Sequence, residues 1–319
     1  MLAFKSATEL VAMLRDKQVS PAELYAEYRA RIKRFNGELN AIIWQDPNAE
    51  AAARTARTDT PLAGLPMTIK EAFDLTGSPT TWGMPELRNN IAKTDSVVAA
   101  RLRAAGATLF GKTNVPLNLG DFQSYNVIYG TTDNPWMRGR TPGGSSGGSA
   151  AALAAGLTGL EMGSDIGGSI RNPAHYCGVF GHKPTYKLVP SRGHAPPGSI
   201  AEPEIAVVGP MARSAADLDL ALDILAKPDR IESAIRYDLP RLDGRTLRDL
   251  KVGVWANDDI APVSRDCERA VTKVADAIRR AGGTVNSAAR PAFSSRDSHA
   301  AYYNLVMSFL MAGTPDAAF

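Results

Sequence analysis

Cysteine and histidine are nearly absent from this chain: two cysteines, Cys177 and Cys267, and four histidines in 319 residues. Two cysteines cannot form a framework of bridges, and no Cys-x-x-Cys or His-Glu-x-x-His spacing occurs, so disulfide-scaffold and metal-site readings have little to stand on. A surplus of one charge is missing too. Lys and Arg number 36 against 33 Asp and Glu, and neither sign gathers in a long block, which argues against a polyanionic partner such as nucleic acid. No apolar run approaches membrane-spanning length, and Met1-Leu2-Ala3-Phe4-Lys5 lacks the basic, apolar and small-residue succession of a signal peptide. A cytoplasmic protein with no membrane partner is expected. Neither a Gly-x-x-x-x-Gly-Lys-Ser/Thr loop nor a Gly-x-Gly-x-x-Gly context is present, which leaves a phosphate cradle unsupported.

What the chain does have is an apolar fraction of 44%, enough for a sizeable core. Ser6 with Glu9, and Ser20-Pro21 with Glu23, have capping-box spacing ahead of apolar residues at helical intervals, so two amphipathic helices open the protein, with Gly37 expected to stop the second. Ala41 to Trp44 reads as a short strand, Asn48 to Arg57 as an alanine-rich helix, and Leu62 to Lys70 as an apolar segment ending on a lysine. A helix from Val97 to Ala105 and a strand from Ala107 to Lys112 continue a helix-then-strand alternation that predicts α/β architecture. Asn118 to Thr141 reads as loop. Ser149 to Leu160 predicts a tightly packed helix and Leu160 to Met162 a strand. The stretch from Pro184 to Gly209-Pro210 reads as irregular connection. Ser214 to Leu225 predicts a helix, Lys251 to Trp255 a strand, Ser264 to Ala281 a helix, Thr284-Val285 a strand start, and His299 to Ala312 a last helix.

Two glycine-flanked serines carry the chemistry. Gly143-Gly144-Ser145-Ser146-Gly147-Gly148 and Asp165-Ile166-Gly167-Gly168-Ser169-Ile170-Arg171 set Ser145 and Ser169 24 residues apart, each at the edge of a glycine pair where another atom can approach closely. This pair of motifs resembles the amidase signature family of serine hydrolases. The resemblance runs through Pro66 to Lys70, Thr113-Asn114-Val115-Pro116 and Cys177 to Thr185. It implies a single domain over residues 1–319, an α/β amidase-signature fold with a large mixed central sheet covered by helices on both faces. It also implies hydrolysis of a small-molecule carboxylic amide, with esters as a side substrate, through an acyl-enzyme and without cofactor or metal. Members of the family continue beyond the equivalent of Phe319, so a missing C-terminal portion is expected. The aromatic and apolar face from Tyr302 to Leu310 then needs cover, for which a homo-oligomer is one arrangement.

The implied site residues are Ser169 as nucleophile, Ser145 as bridging serine in a cis peptide arrangement, and Lys70 as base. For Lys70 to accept a proton near neutral pH its pKa would have to fall by about 3 from ~10.4, a shift that burial of a lysine can supply. The backbone N–H groups of Ile166, Gly167, Gly168 and Ser169 would receive the oxyanion. Ser146 and Thr141 are candidate supporting donors, and Asp165 and Arg171 a pair that holds the turn. Asp121, Gln123, Tyr125 and Asn126 either contact substrate or fold their own loop. Lys112 is read as a positioning or surface residue and Cys177 as a small buried apolar one.

Other readings compete. Gly143 to Gly147 formally satisfies the Gly-x-Ser-x-Gly elbow, but Trp136 to Pro142 is not the buried strand that motif requires. The glutamine-dependent amidotransferase component that works on misacylated transfer RNA shares the serine motifs and would need partner proteins, yet Asn114 to Leu119 lacks the acidic pattern expected of it. A catalytically inactive binding or assembly fragment is the third alternative.

Overall fold

The computed structural model describes residues 1–199, 204–232, 234–240 and 244–310, and divides into two compact units, residues 1–237 and 238–319. In the first unit both capping boxes form, Ser6 with Glu9 and Ser20 with Glu23, and start α1 (Ala7–Arg15) and α2 (Pro21–Leu39). Gly37 does not stop α2. The helix runs on to Leu39 and ends at Asn40, whose φ of 49° is the left-handed cap that asparagine tolerates. Leu10 and Leu14 of α1 and Leu24, Tyr28 and Ile32 of α2 are buried in the main core.

The chain then builds β1 (Ile42–Gln45), α3 (Ala49–Thr55), β2 (Pro66–Lys70), α4 (Val97–Ala104) and β3 (Thr108–Thr113). These strands form a mixed sheet of order β1-β3-β2, with β1 antiparallel and β2 parallel to β3. All five residues of β2 and all six of β3 are buried. The expected loop from Asn118 to Thr141 carries a small hairpin, β4 (Tyr125–Asn126) with β5 (Gly130–Thr131).

Next come α5 (Gly147–Ala154), β6 (Glu161–Asp165), α6 (Arg171–Cys177), β7 (Phe180–Gly181), β8 (Val207–Ala212) and α7 (Ala215–Leu225). A second sheet has the order β6-β8-β7, all antiparallel, and β2 lies alongside β6, which brings the two sheets together. Gly209 and Pro210 sit inside β8 and not in a connection: Pro210 pairs with Met162, and its carbonyl accepts the His182 N–H at 3.0 Å. Proline reads as a strand breaker because it donates nothing to a ladder, whereas here its carbonyl supplies the bond. Ile200 to Pro203, part of the same stretch, lie outside the described residues. A small apolar cluster, Ala150, Leu153, Ile170, Ala174, Cys177 and Met211, joins α5, α6 and β8 directly beneath the two serine motifs.

The second unit pairs β9 (Lys251–Gly253) in parallel with β10 (Thr284–Asn286), and adds α8 (Arg265–Arg280), capped by Ser264, and α9 (Ser295–Leu310). Met311 and Ala312, the end of the expected last helix, lie outside the described residues; Tyr303 and Leu305 of α9 are exposed. No helix among the described residues is long and apolar enough to cross a membrane.

The opening helix is locked to the first unit by one carboxylate. Asp217 Oδ1 accepts both the backbone N–H of Thr8 (2.8 Å) and its hydroxyl (2.9 Å), and the residue is fully buried. Asp217→Ala removes the acceptor of two part-buried donors and is expected to cost about 1 kcal/mol, read as a lower urea midpoint at unchanged m-value.

Candidate active site

Lys70 ends β2 and is completely buried. Its Nζ donates to the hydroxyls of Ser145 (2.7 Å), Ser164 (2.9 Å) and Ser146 (3.0 Å). Burial pushes its pKa down to about 7, against the opposing pull of the carboxylates of Asp165, Glu71 and Glu161.

Ser145 follows a cis Gly144–Ser145 peptide bond. The chain reaches this position because Gly144 has no side chain: a Cβ there would lie 2.3 Å from the carbonyl oxygen of Asp121 and 2.7 Å from the Gln123 nitrogen. The turn is pinned by Asn172, whose Oδ1 accepts the Gly144 N–H (3.2 Å), and by Thr141, whose hydroxyl accepts the Gly143 N–H (3.0 Å) and donates to the Phe122 carbonyl (3.3 Å). Ser146 links the two motifs. Its N–H donates to the Ser169 carbonyl (3.1 Å), and its hydroxyl accepts the Ser164 N–H (3.3 Å).

Ser169 stands just before α6, 6% exposed, and its hydroxyl makes no hydrogen bond to another described residue. The turn that carries it closes around one carboxylate. Asp165 Oδ1 accepts the Gly168 N–H (2.9 Å) and Arg171 Nη2 (2.7 Å); Oδ2 accepts the Ile170 N–H (3.0 Å), the Arg171 N–H (3.3 Å) and Arg171 Nε (3.1 Å). Burial alone would push the Asp165 carboxyl up. The Arg171 and Ile170 hydrogen bonds more than reverse this and hold it below the ordinary carboxylate range. The arrangement removes Gly168 from the expected oxyanion donors, because its N–H is already committed to Asp165. The N–H groups of Ile166, Gly167 and Ser169 donate to no described residue.

The preceding loop is used in two ways. Asn126 is buried and its amide folds the loop: Nδ2 donates to Asn114 Oδ1 and the Val115 carbonyl, and Oδ1 accepts the N–H groups of Ile128 and Tyr129. The side chains of Asp121, Gln123 and Tyr125 make no hydrogen bond among the described residues, and Tyr125 is exposed.

Several residues at the site carried no motif. Ser164, the third partner of Lys70, has no signal in the sequence beyond standing before Asp165. Glu161 is fully buried on the same strand, and burial pushes its carboxyl up to about 8. Lys112 is not a surface residue: it is completely buried in β3, its Nζ donates to the Pro79 carbonyl (2.5 Å) and the Thr80 hydroxyl (3.0 Å), and burial pushes it down to about 8. Cys177 is buried as expected, with its thiol pushed up to about 12.

The model of one family, the amidases, matches residues 23–315. Among curated proteins the chain is 41% identical to an acylamidase of Rhodococcus erythropolis, over 72% of this chain and 49% of that one. It is 35% identical to a glutamyl-tRNA(Gln) amidotransferase component of Deinococcus radiodurans, covering 96% of this chain and 64% of that protein. Among solved structures a fatty acid amide hydrolase superposes with a TM-score of 0.85 at 27% identity, covering 97% of this chain and 56% of its own. The chain thus spans about half to two thirds of the length of these relatives.

The packing at Gly144 yields a direct test. Gly144→Ala drives a Cβ into backbone rather than into a yielding side chain, so it is expected to destabilise the first unit by about 1–3 kcal/mol, measured as a lower denaturant midpoint.

Proposed function

Because the chain belongs to the amidase family, we propose that it hydrolyses carboxylic amides to acid plus ammonia or amine through an acyl-enzyme on Ser169, with Ser145 as proton relay and Lys70 as base. The observation that carries the reading is Lys70 itself, a fully buried lysine with a pKa of about 7 whose Nζ lies 2.7 Å from the Ser145 hydroxyl. A neutral amine has two N–H groups and one lone pair. One of its three hydroxyl contacts must therefore run the other way, and the shortest, to Ser145, is the natural one to donate into the lone pair.

The Ser169 hydroxyl then passes its proton through Ser145 to Lys70 as its oxygen bonds to the amide carbon. The negative charge on the carbonyl oxygen is met by the N–H groups of Ile166, Gly167 and Ser169, each such donor worth about 10²–10³ in rate. Run backwards, the relay protonates the leaving nitrogen as the C–N bond breaks, the step that gives access to amides with their poor leaving groups. Water on the same base releases the acid and restores Ser169. Ser146 and Ser164 hold Nζ on line, Asp165 with Arg171 keeps the nucleophile turn closed, and Asp121, Gln123 and Tyr125 are the proposed substrate contacts.

The family match across residues 23–315 supports one amidase domain over residues 1–319. The exposed Tyr303 and Leu305 support a second copy of the chain as partner, and the reaction is proposed for the cytoplasm. The likeness to an amidotransferase component supports a second reading, in which the chain acts with partner proteins; co-purification of such partners, with glutamine as the amide turned over, discriminates it.

The deciding experiment is labelling with a serine-reactive fluorophosphonate, the adduct located by mass spectrometry. Mass is expected on Ser169, absent in Ser169→Ala and slowed about 10²–10⁴-fold in Lys70→Ala; mass on Ser145 instead would overturn the assignment. The base works only when unprotonated, so labelling is expected to rise as pH climbs through about 7 and then level off, falling about tenfold per pH unit on the acid side. A rate independent of pH from about 5 to 9 would rule out Lys70 as the base.

A further inference from the structure

Glu161 is the buried group at this site that the reaction leaves without a task. It opens β6, is completely buried, and pairs across the sheet with Met211. Thr68 Oγ1 donates to its Oε1, and the Met162 N–H donates to its Oε2 (3.2 Å). The carboxyl thus ties β6 to β2, and beside it Ser149 Oγ of α5 lies 2.8 Å from Thr113 Oγ1 of β3.

No cation touches it. Among the described residues Glu161 has no ion pair, and the one nearby cation, Lys70, has three serine hydroxyls as its Nζ partners. A carboxylate removed from water without a counter-ion is disfavoured far more strongly than the same group carrying a proton. The proton has an acceptor in the hydroxyl oxygen of Thr68, which can donate and accept at once.

The consequence falls on Lys70. Two other carboxyls face it, Glu71 from the residue after β2 and Asp165 from β6, and both favour its protonated form. Asp165 is committed to Arg171, and Glu71 accepts the N–H groups of Thr81 (2.5 Å) and Trp82 (3.0 Å) and the Tyr129 hydroxyl (3.2 Å). His194, from the segment after β7, is driven down to about 3 by burial and by the charges of Lys70 and Lys112, so it stays neutral. An ionised Glu161 would add a third negative charge that favours the protonated lysine.

We propose that Glu161 is a positioning residue that serves as a neutral carboxylic acid: it braces β2 against β6 while denying Lys70 a counter-ion, so that the lysine can give up its proton. The proposal rests on the amidase reading for its functional meaning, but the protonation of Glu161 can be observed without turnover.

The test is infrared difference spectroscopy of chain labelled with [13C]glutamate, wild type against Glu161→Gln, with the pH profile of Ser169 labelling measured on both. At neutral pH the wild type is expected to show the C=O stretch of a protonated glutamic acid, lost in the variant. The acid limb of labelling is expected to stay within about half a pH unit, because glutamine reproduces a neutral carboxyl. A missing acid band, or an acid limb displaced downward by about one pH unit or more, would mean that Glu161 is an ionised counter-ion and would overturn the proposal. If Glu161→Gln does not fold, the wild type decides alone: a glutamic acid band that persists at neutral pH and vanishes near pH 8 supports the proposal, and its disappearance near the usual carboxylate range overturns it. Absence of labelling in a wild type that shows the band would count against the amidase reading and leave the protonation of Glu161 standing.

Discussion

The site depends on one constraint, that the Nζ of Lys70 be kept from water. A lysine held at about 7 instead of 10.5 has its charged form disfavoured by on the order of 5 kcal/mol, several times what an exposed ion pair contributes. The protein offsets that penalty with position. β2 is hydrogen-bonded to β3 on one side and lies against β6 on the other, so the strand end cannot swing Nζ outward. Three hydroxyls then satisfy the amine without neutralising a charge. Serine suits this because it accepts or donates as the amine gains or loses its proton.

The same logic governs the turn that carries Ser169. Asp165 could have been the lysine's counter-ion, but its two oxygens take five N–H groups, three from the backbone of the turn and two from Arg171. A carboxylate so occupied fixes the backbone from Gly168 to Arg171 and leaves neighbouring amides, Ile166, Gly167 and Ser169, without a partner among the described residues. Beneath it α5 is built almost wholly from glycine, alanine and serine, and the small cluster of Ala150, Leu153, Ile170, Ala174, Cys177 and Met211 carries both motifs on one floor. Bulk there would separate the two serine turns, since Gly148 already brings the helix within van der Waals limits of the Asn114 backbone.

The relatives differ in the substrates they are named for. An acylamidase, a fatty acid amide hydrolase and a glutamyl-tRNA(Gln) amidotransferase component are named for different substrates, and the chain matches each over half to two thirds of that protein's length. The stretch matched by the amidase family model, residues 23–315, contains the buried lysine and both glycine-flanked serines. The side chains of the loop residues Asp121, Gln123 and Tyr125, by contrast, make no hydrogen bond among the described residues.

Local signals in the sequence were sufficient for much of this. The capping boxes of α1 and α2, the apolar runs of β2 and β3, and the two serine motifs are all interactions between residues a few positions apart, and such interactions are written in order along the chain. Where the reading departed from the structure, a distant partner decided. Pro210 belongs to a strand because β6 and the His182 N–H use the positions beside it. Lys112 is interior because β3 is flanked on both sides, by β1 and β2. The sequence alone determined which residue types could perform amide chemistry, since nucleophile, base and flexible glycine turns are properties of single residues and short spacings. Only the tertiary structure decided which charges survive there. Desolvation depends on everything packed around a group, and Ser164 on Lys70, Gly168 on Asp165 and Glu161 on Thr68 are contacts that no spacing announces.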